Sequence, residues 1–281
     1  MTQSVVLITG CTEGGIGYGL CEEFVKQRCR VYATARRVES MGALQGCELL
    51  ALDVTNAASI ESTVQKVIDE AGHIDILINN AGAPGVDPLL DIDMDDARQC
   101  FEVNVFGLLS MCRAVARHMA KRGSGKIANV GSIVGYASTP WAGVYAASKA
   151  AVHSLTDTLR MELSPFGIQV TVVAPGSIKS NFGKNATNMV SVPEDSFYLS
   201  VVKYIYARAN MSQGPHSTPT SVFAAHVANK LLKRSSPRYV TYGTNSWTFL
   251  LFYYLPVFVK EYILGKRLGI REVKPIANKD N

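Results

Sequence analysis

The sequence predicts a single α/β domain in which a parallel sheet of seven strands is doubly wound by helices. Three observations lead there. Short apolar runs rich in β-branched residues alternate with helix-period stretches along most of the chain. The first run, Val5-Val-Leu-Ile-Thr9, passes straight into the glycine cluster Gly10-Cys-Thr-Glu-Gly-Gly-Ile-Gly17. Polar residues suited to chemistry fall just beyond the C-terminal ends of successive runs, the rim at which open parallel sheets bind ligands. With 281 residues, 47% of them hydrophobic, the chain can bury one large core, and no shift in composition marks a second. Residues 1–243 read as the domain and 244–281 as a C-terminal extension.

A strand, a glycine turn and a helix over residues 18–28 form the setting that a phosphate-binding loop requires. Gly10, Gly15 and Gly17 allow the tight turn and let a pyrophosphate reach the helix N-terminus, with Thr12 and Ile16 in the same loop. The second strand, Arg30–Ala35, ends in Arg36 and Arg37 with no carboxylate at Ala35. A carboxylate there would bind the ribose of NAD, whereas guanidinium forks suit the 2′-phosphate of NADP(H). Glu13, in the glycine loop, works against that phosphate.

The third strand, 48–52, ends in Asp53 and Val54, placed to clamp an adenine edge. A helix over 56–71 carries Ile60, Val64, Val67 and Ile68 on one face. The fourth strand, 74–78, stops at Asn79-Asn80-Ala81-Gly82, which suits either a backbone passing close to a cofactor or a plain turn. In the helix around residues 101–107, Asn104 lies in an apolar setting and needs partners. The fifth strand, Gly125–Val130, is followed by Ser132.

A helix over 144–163 then sets Tyr145 and Lys149 on one face, about 6 Å apart along the axis. A free phenol titrates near pH ~10, and a neighbouring ammonium lowers that value, so the pair reads as an acid and its activator. The Ser132 hydroxyl can hold a substrate oxygen. A sixth strand, 168–174, ends in Pro175-Gly176, a helix covers 224–232, and residues 238–242 form the seventh strand.

Over residues 4–243 these motifs resemble the short-chain dehydrogenases/reductases: the glycine loop, Asn79-Asn80-Ala81-Gly82, Asn104, Ser132, Tyr145-x-x-x-Lys149 and Pro175-Gly176. The resemblance implies a Rossmann fold and a Tyr145 that protonates a carbonyl oxygen as hydride arrives from the nicotinamide. It implies that Ser132 orients that oxygen, that Lys149 lowers the tyrosine pKa and holds the nicotinamide ribose, and that Asn104 supports a water relay. Ile178 and Ser180 match positions that contact the carboxamide. Pairing of subunits through the tyrosine helix, giving a homodimer or homotetramer, is implied too, with Val152, Leu155 and Leu159 serving either that interface or the core. Two departures stand out: four residues separate Gly10 from Gly15 where three are usual, and Ser180 replaces a more usual threonine.

Net charge is +5, but the basic residues are scattered, which argues against a nucleic-acid partner. Six cysteines (Cys11, Cys21, Cys29, Cys47, Cys100, Cys112) form no Cys-x-x-Cys pair and have no histidine at metal spacing. They read as reduced thiols of an intracellular protein with no metal site. Residues 1–4 run directly into a strand without the features of a secretory leader, so none is expected.

Substrate choice falls to a lid over 181–220, whose Phe182, Phe197, Tyr198, Val201, Tyr204 and Ile205 suit a hydrophobic ligand or packing on the sheet. In the extension, thirteen uncharged residues from Trp247 to Val259 include Pro256. They are too few to span a bilayer, which takes about 20. With Lys260, Lys266, Arg267, Arg271 and Lys274 beyond them they suit a lipid interface, as peripheral contact with endoplasmic reticulum or lipid droplets through 247–264. They equally suit a cytoplasmic protein whose tail closes the pocket or packs in a dimer. Gly14-Gly-Ile-Gly-Tyr18, Ala35-Arg-Arg37, Asn104-Val-Phe-Gly107 and this tail are similar to the fungal NADPH-dependent 1-acyldihydroxyacetone-phosphate reductases. The expected activity is reduction of a ketone to a secondary alcohol on a lipophilic substrate such as an acylated dihydroxyacetone phosphate. The alternatives are a secondary-metabolite ketoreductase acting on a polyketide, alkaloid or steroid-like ketone, and a catalytically silent NADP(H)-binding sensor or scaffold.

Overall fold

A computed structural model describes residues 3–274; Met1 and Thr2 of the expected leaderless start, and 275–281 of the extension, lie outside the described residues. The chain alternates strand and helix: β1 (Val5–Thr9), α1 (Ile16–Lys26), β2 (Arg30–Ala35), β3 (Cys47–Ala51), α2 (Ala57–Ala71), β4 (Ile76–Asn79), α3 (Met94–Phe101), α4 (Leu108–Arg122), β5 (Gly125–Val130), α5 (Gly143–Leu163) and β6 (Ile168–Pro175). It continues through β7 (Ile178–Lys179), α6 (Asn181–Met189), α7 (Val202–Ala209), β8 (Thr218–Pro219), α8 (Thr220–Leu231), β9 (Tyr239–Tyr242), α9 (Ser246–Tyr254) and α10 (Val257–Arg267).

Seven strands form one parallel sheet in the order β3-β2-β1-β4-β5-β6-β9, so the winding reverses between β1 and β4 and opens a crevice at their C-terminal ends. The expected strands all appear, with bounds shifted by one or two residues. Both faces of the sheet are covered, which is why β1 and β4 are buried at every position and read as unbroken apolar runs. On one face Val6, Ile8 and Val31 meet Leu20, Phe24, Phe223 and Val227 of α1 and α8. On the other, Leu7, Leu77 and Ile127 meet Val64, Met111, Val115 and Val152 of α2, α4 and α5. Val152 thus serves the core, and Leu159 packs against the same cluster.

Local signals fix the helix ends. Asn56 caps α2 by accepting from the Ser59 N–H, a bond worth about 1 kcal/mol, and Gly72 closes the helix in the left-handed region at φ 78°. Between α3 and α4 the chain does not break: Glu102–Gly107 form a π-helical turn carrying Asn104, where the sequence predicts ordinary helix. At Pro256 the apolar run of the extension divides into α9 and α10, because proline supplies no N–H to continue the first helix.

The segment from Ser180 to Thr218 leaves and rejoins the body at one place, where Ile178 and Lys179 pair in parallel with Thr218 and Pro219. Two carboxylates hold it down: Asp87 accepts from the Ser191 N–H at 3.0 Å and Asp91 from the Ser196 hydroxyl. The extension folds back onto the body. Phe249, Phe252 and Leu264 pack against Ile133, Val134 and Ala146, and Trp141 Nε1 donates to the Leu268 carbonyl at 2.8 Å. Trp247, Tyr254 and Phe258 are 81%, 75% and 71% exposed, so the opposite face of the same helices is apolar and open to water.

Gly17 lies against the glycine turn so closely that a Cβ would sit 2.5 Å from the Gly10 carbonyl oxygen. Gly17→Ala must therefore displace backbone, and a loss of about 1–3 kcal/mol of unfolding free energy is expected in urea titrations. An unchanged midpoint would mean that the turn yields freely.

Candidate active site

The glycine loop is positioned by hydrogen bonds from its neighbours. Gly10 has φ +72°, and a Cβ there would lie 2.7 Å from the Ala81 Cα, so two strand ends touch through this glycine. The Asn80 amide donates to the carbonyls of Thr9 and Gly10, both at 2.9 Å, while the Thr9 hydroxyl accepts from the N–H groups of Asn80 and Ala81. Asn80 is thus a strut of the loop, and Ala81 and Gly82 carry the chain past it. Asn79 points instead into a buried polar ladder with Asn129 and Cys112. The Thr12 hydroxyl meets Ser40, and Ile16 packs on the core below.

No side chain caps the N-terminus of α1. Arg36 and Arg37 at the end of β2 are exposed, and no carboxylate pairs with either among the described residues. At the end of β3, Asp53 accepts from the amide and hydroxyl of Thr55, which holds its carboxyl below the usual range; burial opposes this and Arg36 assists. Val54 is buried, with its carbonyl against Gly107. Uncapped N–H groups, glycines that clear the approach and free guanidiniums at one rim fit a phosphorylated dinucleotide.

Further along the rim stand the chemical groups. Lys149 is buried, and its ammonium donates to the Val130 carbonyl at 2.9 Å and lies 5.7 Å from the centre of the Tyr145 ring. Burial pulls it down to about 8, with Cys100 opposing. Asn104 is fully satisfied: its oxygen accepts from Ala83 N at 2.7 Å, and its amide donates to the Ala83 carbonyl and the Ser148 hydroxyl, both at 3.0 Å. Gly82 brings these groups together, since a Cβ there would meet Asn104 Oδ1 at 3.3 Å and Lys149 Nζ at 3.7 Å.

Tyr145 lies partly buried beneath Phe182, whose ring centre is 5.4 Å away. Burial pushes its phenol up to about 12; the Arg208 charge and the nearby Ser132 hydroxyl work in the other direction. The sequence assigns that lowering to Lys149. Burial outweighs that lowering here: the Lys149 ammonium donates to Val130 and stands 5.7 Å from the ring centre, and the Arg208 charge on the lid helix lowers the phenol as well.

Pro175 and Gly176 follow β6, and a Cβ on Gly176 would lie within 2.2 Å of the Thr244 carbonyl oxygen, where the start of the extension crosses. Ile178 is buried against Gly243, and Ser180 accepts from Gln213 through its carbonyl. Asn181 hooks the lid onto the glycine loop: its N–H donates to the Gly14 carbonyl and its amide to that of Glu13, both at 2.9 Å.

Three residues at the site are absent from the sequence reading. His153 lies under Ser132, accepting the Ser132 N–H at 3.4 Å, in space left by the missing side chains of Gly131 and Gly135. Its signal was the continued spacing of four in Tyr145, Lys149, His153. Trp141 takes a left-handed φ of 65°, a conformation costing about 1–2 kcal/mol, and is held by its bond to Leu268 and by Tyr198, 5.1 Å away edge-on. Arg208, in the last turn of α7, has no local pattern that distinguishes it from a solvated arginine. Among the described residues no group of His, Cys, Asp and Glu is placed to hold a metal ion, and no helix is long and apolar enough to cross a membrane.

Comparison with known proteins gives the same architecture. Residues 4–191 match a family described as short chain dehydrogenase. The short-chain dehydrogenase ptmH of Penicillium ochrochloron is 36% identical over 277 residues, covering 96% of this chain and 100% of that one. The NADPH-dependent 1-acyldihydroxyacetone phosphate reductase of Schizosaccharomyces pombe is 39% identical over 214 residues, 74% of this chain and 72% of that one. A crystal structure of a short-chain dehydrogenase from Streptomyces avermitilis superposes with a TM-score of 0.81 at 28% identity, covering 96% of this chain and 98% of that one.

Burial and the Lys149 charge lower His153 from 6.5 to about 4, with Asp157 opposing. Its folded pKa lies below the unfolded value, so between pH 6.5 and about 4 the unfolded chain takes up a proton that the folded one refuses. Stability is fully present above this window and falls by up to about 3 kcal/mol as pH drops through it. Urea unfolding from pH 7 to 4 is expected to show this slope in the wild type and a shallower one in His153→Gln; equal slopes would remove His153 as the source.

Proposed function

The chain belongs to the short-chain dehydrogenase family of oxidoreductases, and on that premise we propose that it uses NADPH to reduce a ketone on a lipophilic substrate. The observation that carries this reading is the meeting of Asn104 and Lys149 at Gly82, with the Tyr145 ring 5.7 Å from the Lys149 ammonium and Ser132 beside the phenol, on the rim where the winding reverses between β1 and β4. The dinucleotide, when bound, supplies the hydride. Tyr145 gives its proton to the carbonyl oxygen; a phenol held near 12 keeps that proton until charge develops on the substrate. Ser132, fixed from behind by His153, orients the oxygen. Lys149 holds the nicotinamide ribose, Asn104 supports resupply of the proton, and Arg36 and Arg37 select the 2′-phosphate.

A lipophilic substrate fits the side chains around Tyr145, namely Phe182, whose ring centre is 5.4 Å away, and Val134, Ala137 and Phe249 of the apolar cluster on which the tyrosine packs. The Schizosaccharomyces relative acts, by its name, on an acylated dihydroxyacetone phosphate, which makes that ketone the first to assay. Full-length similarity to the Penicillium enzyme keeps polyketide-like ketones as the second class. The exposed face of α9 and α10, with Trp247, Leu251, Tyr254 and Phe258, we read as a peripheral contact with lipid.

Tyr145→Phe is expected to lower kcat for NADPH-dependent ketone reduction by roughly 10²–10⁴-fold with NADPH affinity retained. Turnover untouched by loss of the hydroxyl would exclude the mechanism, and no turnover on any ketone by the wild type would favour a silent nucleotide sensor. Arg36→Ala with Arg37→Ala is expected to reduce the preference for NADPH over NADH by roughly 10- to 100-fold; an unchanged ratio would place the 2′-phosphate elsewhere. For lipid contact, Trp247→Ser with Phe258→Ser should abolish co-flotation with liposomes while leaving kcat on a short-chain ketone intact.

A further inference from the structure

Arg208 is a buried cation without an anion. The residue is 9% exposed, on α7 between Ile205 and Ala209, both of which pack into the apolar lid cluster. Nε donates to the Thr139 hydroxyl at 2.7 Å, and that is its one hydrogen bond among the described residues. No carboxylate pairs with it there, and the Tyr145 phenol is the one ionisable group close enough to favour its charge. Among the described residues, side-chain atoms sealed from water without a partner are Asn79 Oδ1 and Ser246 Oγ, so the two terminal nitrogens of Arg208, which have no partner there, are not fully sealed.

Taking a guanidinium out of water costs several kcal/mol unless an anion compensates it. The C-terminal carbonyls of α7 offset a part. What remains is a planar pair of N–H donors on the lid helix, tied through Nε to Thr139 in the loop between Ser132 and Tyr145, and such a fork complements the two oxygens of a carboxylate or a phosphate.

We propose that Arg208 is the oxyanion subsite of the substrate pocket and that the natural substrate is a ketone carrying a phosphate or carboxylate a few bonds from the carbonyl. This rests on the reductase reading above and narrows its substrate class. Tyr145 meets the carbonyl oxygen, and Arg208 is bonded to Thr139 on the loop leading to that tyrosine, so an anion on the same molecule reaches Arg208 from the carbonyl side of the substrate. A neutral ketone would leave the guanidinium uncompensated and bind correspondingly less well.

The test uses NADP-loaded enzyme and two matched pairs: octanoyl-dihydroxyacetone phosphate with its dephosphorylated form, and β-keto-octanoate with its methyl ester. Dissociation constants come from calorimetry, and reduction rates with NADPH are recorded separately. Wild type is expected to favour at least one charged member by roughly 10- to 100-fold. Arg208→Met, whose apolar chain fills the same space, should lose that preference while binding the neutral partners as before, and Arg208→Lys should keep part of it. The pair that discriminates tells phosphate from carboxylate. Equal affinity for both members of both pairs in the wild type, a comparison that needs no variant, overturns the proposal. So does an equal loss on charged and neutral ketones in Arg208→Met, which would assign Arg208 to the Tyr145 phenol. Charge-selective binding without turnover on any ketone leaves the subsite standing and removes the reductase reading; turnover without charge selectivity does the reverse.

Discussion

At the C-terminal rim of the sheet, Tyr145, Lys149, His153 and Arg208 are crowded away from water in one cluster, and each is displaced toward its neutral form. Desolvation on this scale is tolerable only where every polar atom is met by a partner or by ligand space. The backbone supplies most partners: Val130 accepts from Lys149, and Ser132 donates to His153. For those atoms to come within reach, the chain must approach α5 without side chains in the way. Gly131 and Gly135 leave the volume that the His153 ring fills, and Gly82 the volume between Asn104 and Lys149. The glycines, the π-helical turn and the seating of α5 on β5 and β6 are consequences of one requirement.

The sheet was legible because burial on both faces turns strands into continuous apolar runs, and the glycine loop because its place after the first run is unusual for an ordinary turn. Tyr145 and Lys149 were legible because a helix converts a spacing of four into one face. Long-range packing was less so. Asn80 reads as a cofactor contact, and its amide is engaged with the glycine loop; Gly176 reads likewise, and its missing Cβ lets the extension pass. Arg208 is separated from Tyr145 by the whole of β6 and half of the lid, so no local spacing could join them. The phenol illustrates the limit most directly: the sequence shows the cation four residues away, Lys149, whereas the fold adds a second, Arg208, from the lid helix.

The extension illustrates a further limit. An apolar run broken by Pro256 supports two readings from sequence, a lipid contact and a wall of the pocket, and the fold gives opposite faces of the same two helices to the two tasks. Phe249 and Phe252 sit against Ile133 and Val134, next to Ser132, while Trp247 and Phe258 look outward. The thickness of α9, about 10–12 Å with its side chains, is what separates anything touching its outer face from the turn that carries the serine. Removing the extension strips both faces at once and uncovers the Ser132 turn, so a truncated enzyme that fails to turn over reports on the inner face and is silent about lipid. Only substitutions confined to the outward positions, leaving Phe249, Phe252 and the Trp141 bond to Leu268 in place, separate the two.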